Sequence, residues 1–267
     1  MELSLREIQL AELDILKIFS EFCKKEELKY SLVGGTLLGA VRHQGFIPWD
    51  DDIDVGMPRP DYEKFIELFM QKRDQFPANI DLTTDRGEKA MYPFIKLLNT
   101  DIQIQSNEGD LTNYVWIDIF PLDGYPSSER ATQKFQKKVK NYRRLFSYNY
   151  KNYNSLNGIL RKLFYRAAKC YGAKKALNKL IALSNKYTYS ESDYIGIVAW
   201  GLYWLGERMP KDEFEQFVEM SFEENKFTVM GCWDNYLHGI YGDYMQLPPE
   251  DKRATHSFKA YTVEKDS

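Results

Sequence analysis

Most of the chemistry legible in this sequence lies in one short run, Asp50-Asp51-Asp52-Ile53-Asp54. Carboxylates packed this closely repel one another unless something neutralises them, so a bound cation is the economical explanation. In a β-strand, side chains alternate, which places Asp52 and Asp54 on one face and Ile53 and Val55 on the other. The two carboxylates would then stand roughly 6–7 Å apart at ~3.3 Å per residue, a span that one divalent ion can bridge. Ligands that offer only oxygen favour Mg²⁺ or Mn²⁺ over zinc. A third acid comes from Tyr114-Val115-Trp116-Ile117-Asp118-Ile119, where Val115, Ile117 and Ile119 form the apolar face and Asp118 shares the other with Trp116. Asp52, Asp54 and Asp118 are therefore the expected catalytic and metal-holding residues. Two plainer readings compete. The run is a solvated acidic loop, or it is a calcium loop of the EF-hand kind. The calcium loop fails at Val55, where the turn demands glycine, and at Asp61, where a longer Glu is expected.

The elements that must position these acids follow from periodicity. Ser4 and Glu7 make a capping box for an amphipathic helix over residues 4–28, with Ile8, Ile15, Phe19 and Phe22 on its stripe. Tyr30–Val33 reads as a short strand running into Gly34-Gly35. A brief helix (Thr36 to Arg42), a loop, and the strand Asp52–Val55 come next, that strand being stopped by Pro58 and Pro60. Asp61 is expected to cap the following helix. Strand-like runs lie at residues 80–83, 92–98, 102–105 and 114–119, and a basic helical region spans 127–186. A Pro210-started helix over Lys211–Met220 and another at Trp233–Tyr241 complete the pass. The fold class is α+β: a mixed sheet flanked by helices, with a catalytic core at 1–126 and a mostly helical extension at 127–267.

Composition narrows the function classes. Lys+Arg 36 against Asp+Glu 39 gives a net charge of −3, which excludes nucleic-acid binding driven by phosphate neutralisation. Three well-separated cysteines, Cys23, Cys170 and Cys232, form neither a disulfide framework nor a zinc set and fit a reducing compartment. The first residues show no signal-peptide core, and no apolar run approaches the ~20 residues of a spanning helix. A cytoplasmic protein is expected.

The block GGTLLGAVRHQGFIPWDDDIDV, followed by the Asp118 strand and the tail YGDYMQLPPEDKR, resembles the LicD family of phosphocholine transferases within the nucleotidyltransferase superfamily. The likeness runs from about residue 28 to 256. It implies transfer of phosphocholine from CDP-choline to a sugar hydroxyl on a lipid-linked glycan precursor of the bacterial surface, teichoic acid or lipopolysaccharide, with release of CMP. Phosphoryl transfer rests on positioning and charge neutralisation, which suits the acids. Gly34, Gly35 and Thr36 then become the phosphate end of the site, because glycine lets backbone N–H groups approach without a Cβ. Arg42, Lys96, Arg253 and His256 are candidate cations for the diphosphate, Arg42 foremost. Trp116 could stack on cytosine. A quaternary ammonium offers no N–H, so aromatic faces must hold choline, and Trp233 or the Trp200, Tyr203, Trp204 segment is the expected cage. Two other functions share these features: nucleotidyl transfer to a small acceptor, and a non-catalytic scaffold for glycan assembly. Basic stretches at 134–144 and 161–175 leave open a peripheral contact with the cytoplasmic membrane face.

Overall fold

The computed structural model describes residues 1–106, 113–153, 157–253 and 258–263. Ser4 and Glu7 form the expected reciprocal box, the Ser4 N–H donating to Glu7 Oε2 at 2.7 Å, and start helix α1 (Leu5–Lys25). Its buried stripe meets the aromatic side of the core, Phe19 against Phe65 at 5.2 Å and Phe22 against Phe76 at 4.5 Å. Strand β1 (Ser31–Leu32) enters α2 (Gly34–His43), and β2 (Asp54–Pro58) enters α3 (Arg59–Gln71).

Two expectations are corrected here. Strand β2 begins at Asp54, so Asp52 lies in the preceding loop, and it continues through Pro58 instead of stopping before it. Helix α3 starts at Arg59 with Pro60 in its first turn, where a missing N–H costs nothing. Asp61 is not its cap; its carboxylate accepts the Lys29 N–H at 3.1 Å and ties down the approach to β1.

Strand β3 (Ile80–Leu82) precedes β4 (Ile95–Ser106), one continuous strand where the sequence reads as two runs. A register shift between Asn99 and Gln103, opposite β5 (Tyr114–Tyr125), interrupts the alternation and explains the difference. After β5, helices α4 (Glu129–Tyr148), α5 (Ile159–Tyr171) and α6 (Ala173–Ser184) enclose a smaller core of Phe135, Val139, Phe146, Leu177 and Leu180.

The chain then returns to the sheet. Strand β6 (Tyr194–Gly196) pairs with β5 and with β7 (Met209–Pro210). The helix expected over 211–220 is only α7 (Lys211–Phe214). Val218, Met220 and Phe222 alternate instead along β8 (Val218–Phe222), which forms a hairpin with β9 (Asn225–Val229). Helix α8 (Trp233–Tyr241) has the bounds read from the sequence, and β10 (Phe258–Thr262) closes the described chain.

The main sheet runs β1-β2-β5-β4-β10, with β3 on β4 and β6 on β5; among the described residues only the β2–β5 pair is parallel. Helices flank this mixed sheet, which is the α+β class. A division at residue 126 does not partition it, because β6 and β10 pair with strands from the first half.

Candidate active site

Strand register assembles the charged row. Asp54 of β2 lies opposite Asp118 of β5, and Lys96 of β4 lies opposite Asp118 from the other side. Lys96 Nζ stands 2.8 Å from Asp118 Oδ1 and 3.9 Å from the centre of the Trp116 ring. Lys96 and Trp116 are each only 3% exposed. Lys96 therefore serves Asp118 and does not reach out to a diphosphate. Trp116, backed by Phe258 at 5.6 Å, forms the wall behind that pair and has no face open for stacking on a base.

Helix α2 brings the glycines against the acids. Gly34 has φ +56, and a Cβ there would sit 2.9 Å from Asp54 Oδ2; a Cβ on Gly35 would sit 2.7 Å from Asp50 Oδ2. Only glycine permits this approach, and it sets the carboxylates beside the positive end of the helix. The Gly34 N–H donates to the Tyr236 hydroxyl at 3.2 Å. Thr36 is buried, and its hydroxyl accepts the Asp54 N–H at 2.8 Å, so it fixes the acid's backbone.

A cavity of about 220 Å³ opens at this point, with Gly34, Gly35, Asp50, Asp52 and Asp54 in its lining. Asp50, and not Asp118, is the third aspartate on its wall. A larger cavity of about 800 Å³ shares Gly35, Asp50 and Tyr241 with it and is flanked by Arg42 and Arg253. Arg42 donates to the Tyr244 carbonyl at 2.8 Å, while Arg253 lies over the Trp49 ring at 4.6 Å. Of the remaining candidates, Trp233 packs against the main core and lines neither cavity, Trp200 and Tyr203 line the smaller one, and His256 lies outside the described residues.

The electrostatics are lopsided. Burial, then the charges of Asp52, Asp118 and Asp50, push the Asp54 carboxyl well above the usual range, with Lys96 pulling the other way. Sequence reading missed a further acid beneath them. Glu12 of α1 is 1% exposed, and neither carboxylate oxygen has a hydrogen-bond partner among the described residues. Burial, reinforced by Asp52 and Asp51, raises its pKa well above the ordinary value. The signal was present: Glu12 sits at helical spacing on the apolar stripe between Ile8 and Ile15. Its neighbour Gln9, also buried, donates to the Asp50 carbonyl at 2.8 Å and anchors the acidic loop to α1.

Among the described residues no three His, Cys, Asp or Glu side chains form a finished metal cage. Mg²⁺, however, commonly takes one or two carboxylates and completes its shell with substrate phosphate and water. Hard oxygen donors carrying surplus negative charge fit that ion: Asp52 and Asp54, with Asp118 in register beside Asp54.

Residues 27–162 match the family model described as LicD/FKTN/FKRP, nucleotidyltransferase domain. The chain is 34% identical over 266 residues to the lipopolysaccharide cholinephosphotransferase LicD of Haemophilus influenzae, covering 98% of this chain and 99% of that protein. An uncharacterized protein of Rickettsia typhi is 44% identical over 118 residues, 43% of this chain and 35% of the relative.

Proposed function

The chain belongs to the LicD family, and from this premise we propose that it transfers phosphocholine from CDP-choline to a sugar hydroxyl of a bacterial surface glycan, releasing CMP. The observation that carries the reading is the cavity wall on which Asp50, Asp52 and Asp54 meet the glycine-led start of α2. Carboxylates alone repel a diphosphate; carboxylates that hold a cation beside a helix N-terminus attract one.

In the proposed reaction the acceptor oxygen forms a bond to the choline-bearing phosphorus. The bond from that phosphorus to the bridging oxygen breaks, CMP leaves with the electron pair, and the hydroxyl proton passes to a carboxylate. Mg²⁺, when bound, supplies neutralisation of the phosphate charge. Asp52 and Asp54 would hold it. Asp118, pinned by Lys96 at Oδ1, would support it from the adjacent strand, since an acid already paired with an ammonium is a poor proton acceptor. Arg42 and Arg253 border the larger cavity and would meet the nucleotide half of the donor.

The acceptor in this reading is lipid-linked, teichoic acid or lipopolysaccharide. No described helix is long and apolar enough to cross a membrane. Helix α5, however, exposes Ile159 (79%), Leu160 (82%) and Leu163 (54%) beside Arg161 and Lys162, a composition suited to an anionic lipid surface. Sedimentation with anionic vesicles should fall when Ile159 and Leu160 become Ser; unchanged sedimentation refutes the contact.

The reaction is tested with CDP-choline labelled separately in choline and in cytidine, incubated with Mg²⁺ and choline-free surface glycan. Choline label on the glycan and cytidine label in free CMP are expected. Cytidine label on the glycan would establish nucleotidyl transfer, and no transfer of either label would favour a scaffold.

A further inference from the structure

The aspartates make up only part of the lining of the smaller cavity. Four aromatic rings, Trp200, Tyr203, Tyr236 and Tyr241, line it too, together with the buried Glu207. We propose that this aromatic lining seats the trimethylammonium group of the donor, held by the four rings and by the Glu207 carboxylate. This deepens the phosphocholine-transfer reading and rests on it.

Chemistry and placement agree. A quaternary ammonium has no N–H to donate, so it is recognised by π faces and by a carboxylate, and these are what the cavity offers. The rings are held firmly. Trp200 is backed by Phe94 at 5.5 Å and by Tyr92 and Phe146 at 5.9 Å, while Tyr203 and Tyr241 meet edge to face at 5.4 Å. Burial, and then Glu207, push the Tyr236 phenol upward, so this ring stays neutral and keeps its π face. The Tyr236 hydroxyl accepts the Gly34 N–H at 3.2 Å, which ties this ring to the start of α2 beside Asp54.

Glu207 is the unusual member. It is 5% exposed, and its Oε1 accepts the backbone N–H groups of Leu202 at 2.9 Å and Tyr203 at 3.3 Å. A Cβ on Gly201 would collide with the Ile197 carbonyl as well as with Glu207 Oε2, so glycine is required where the carboxylate lies along the loop. Arg143, whose charge acts on Glu207, donates through one nitrogen to the carbonyls of Trp200 and Gly201 and makes no ion pair with Glu207 among the described residues. A carboxylate buried this deeply without a full counter-charge is costly unless a cation arrives. Both anchors of the donor are then in one cavity, phosphate against Asp54 and ammonium against Glu207.

The test measures binding by calorimetry, with Mg²⁺ and no acceptor, for three probes: CDP-choline, its uncharged 3,3-dimethylbutyl isostere, and CMP. The native chain should prefer CDP-choline over the isostere by about tenfold or more, the scale of one or two cation–π contacts. Glu207→Gln preserves the acceptor of the two backbone bonds, and Tyr203→Leu changes a ring that is 40% exposed, so both variants should fold. Each should lose most of that preference while binding CMP as the native chain does. If the native chain binds CDP-choline and the isostere equally, or if CMP weakens in step with CDP-choline, the cage is wrong although the transfer reading stands. If the native chain does not bind CDP-choline at all, both are wrong.

Discussion

Asp118 and Asp123 belong to one strand, β5, and each faces a cation, yet their surroundings differ in kind. Arg59 grips Asp123 through Nε and one terminal nitrogen, both at 2.7 Å, and the neighbouring Asp85 and Glu63 are paired with Arg86 at 2.9 and 2.8 Å. Each of these three acids has an arginine. Around Asp118, Lys96 stands against Asp54, Asp52, Asp50 and the buried Glu12. A structural cluster closes its charge balance within the chain. The acids at the cavity crowd one another instead, burial and the charges of Asp52, Asp118 and Asp50 holding the Asp54 carboxyl well above its usual range, and a bound cation would relieve that repulsion.

The comparison is broken most sharply by exchanging Asp for Asn at each end. Asp54→Asn should lower transfer on the order of 100-fold or more, the scale of losing one electrostatic stabiliser, with thermal stability unchanged or improved. Asp123→Asn should do the reverse: transfer chemistry persists in the folded fraction, while stability drops by about 3 kcal/mol because Arg59 loses its buried partner and keeps only the more exposed Glu63 at 3.3 Å. Denaturant unfolding and turnover on the same preparations decide it. Equal stability losses would show that the two ends are alike.

Asp118→Asn lies between these extremes. It should cost about 100-fold in turnover. It should also destabilise the fold, because Lys96 is buried with it. The double variant Asp118→Asn with Lys96→Met should recover the stability but not the turnover. A turnover loss below about tenfold would return Asp118 to a structural role.

The smallest effect concerns Glu12. Its pKa is raised in the folded chain, so the folded state holds a proton that the unfolded state releases above its own pKa of ~4.3. Stability from this group is therefore complete at low pH and declines as pH rises above that value. Glu12→Gln should leave the melting temperature near pH 4 almost unchanged and raise it near pH 8 by at least ~2 °C, flattening the profile. A variant whose profile runs parallel to that of the native chain would show that Glu12 does not hold the extra proton.

How far the sequence discloses the molecule follows from the same physics. The capping box at Ser4, the apolar stripe of α1, the glycine–acid block and α8 were legible because local pattern sets each of them. Strands β6 and β7 were not, being two or three residues long and defined only by partners distant in sequence. The start of the β8–β9 hairpin, residues 218–220, was read as the end of a helix because the Pro210 start signal is genuine but serves only one turn. At the candidate site, Asp52 and Asp54 were picked out by an assumed strand alternation that fails because Asp52 lies in the loop before β2, and Asp118 by its place on an otherwise apolar strand. Lys96 was identified, but its cation pairs with Asp118 in the core, which depends on cross-strand register. Trp200 and Tyr203 were found through the needs of a quaternary ammonium, whereas Glu207, Tyr236 and Tyr241 join them only through tertiary packing.

The crowding of acids around Asp54 is tested most directly by measuring CDP-choline binding with and without Mg²⁺ in the native chain and in Asp54→Asn. The native chain should bind the donor at least about tenfold more tightly with Mg²⁺, and Asp54→Asn should lose that gain. Without Mg²⁺ the order should invert, the variant binding as well as or better than the native chain, because one repelling carboxylate has gone. Binding that ignores Mg²⁺ in both proteins, or a variant equally weakened with and without it, would contradict the assignment of Asp54 to a cation-held diphosphate.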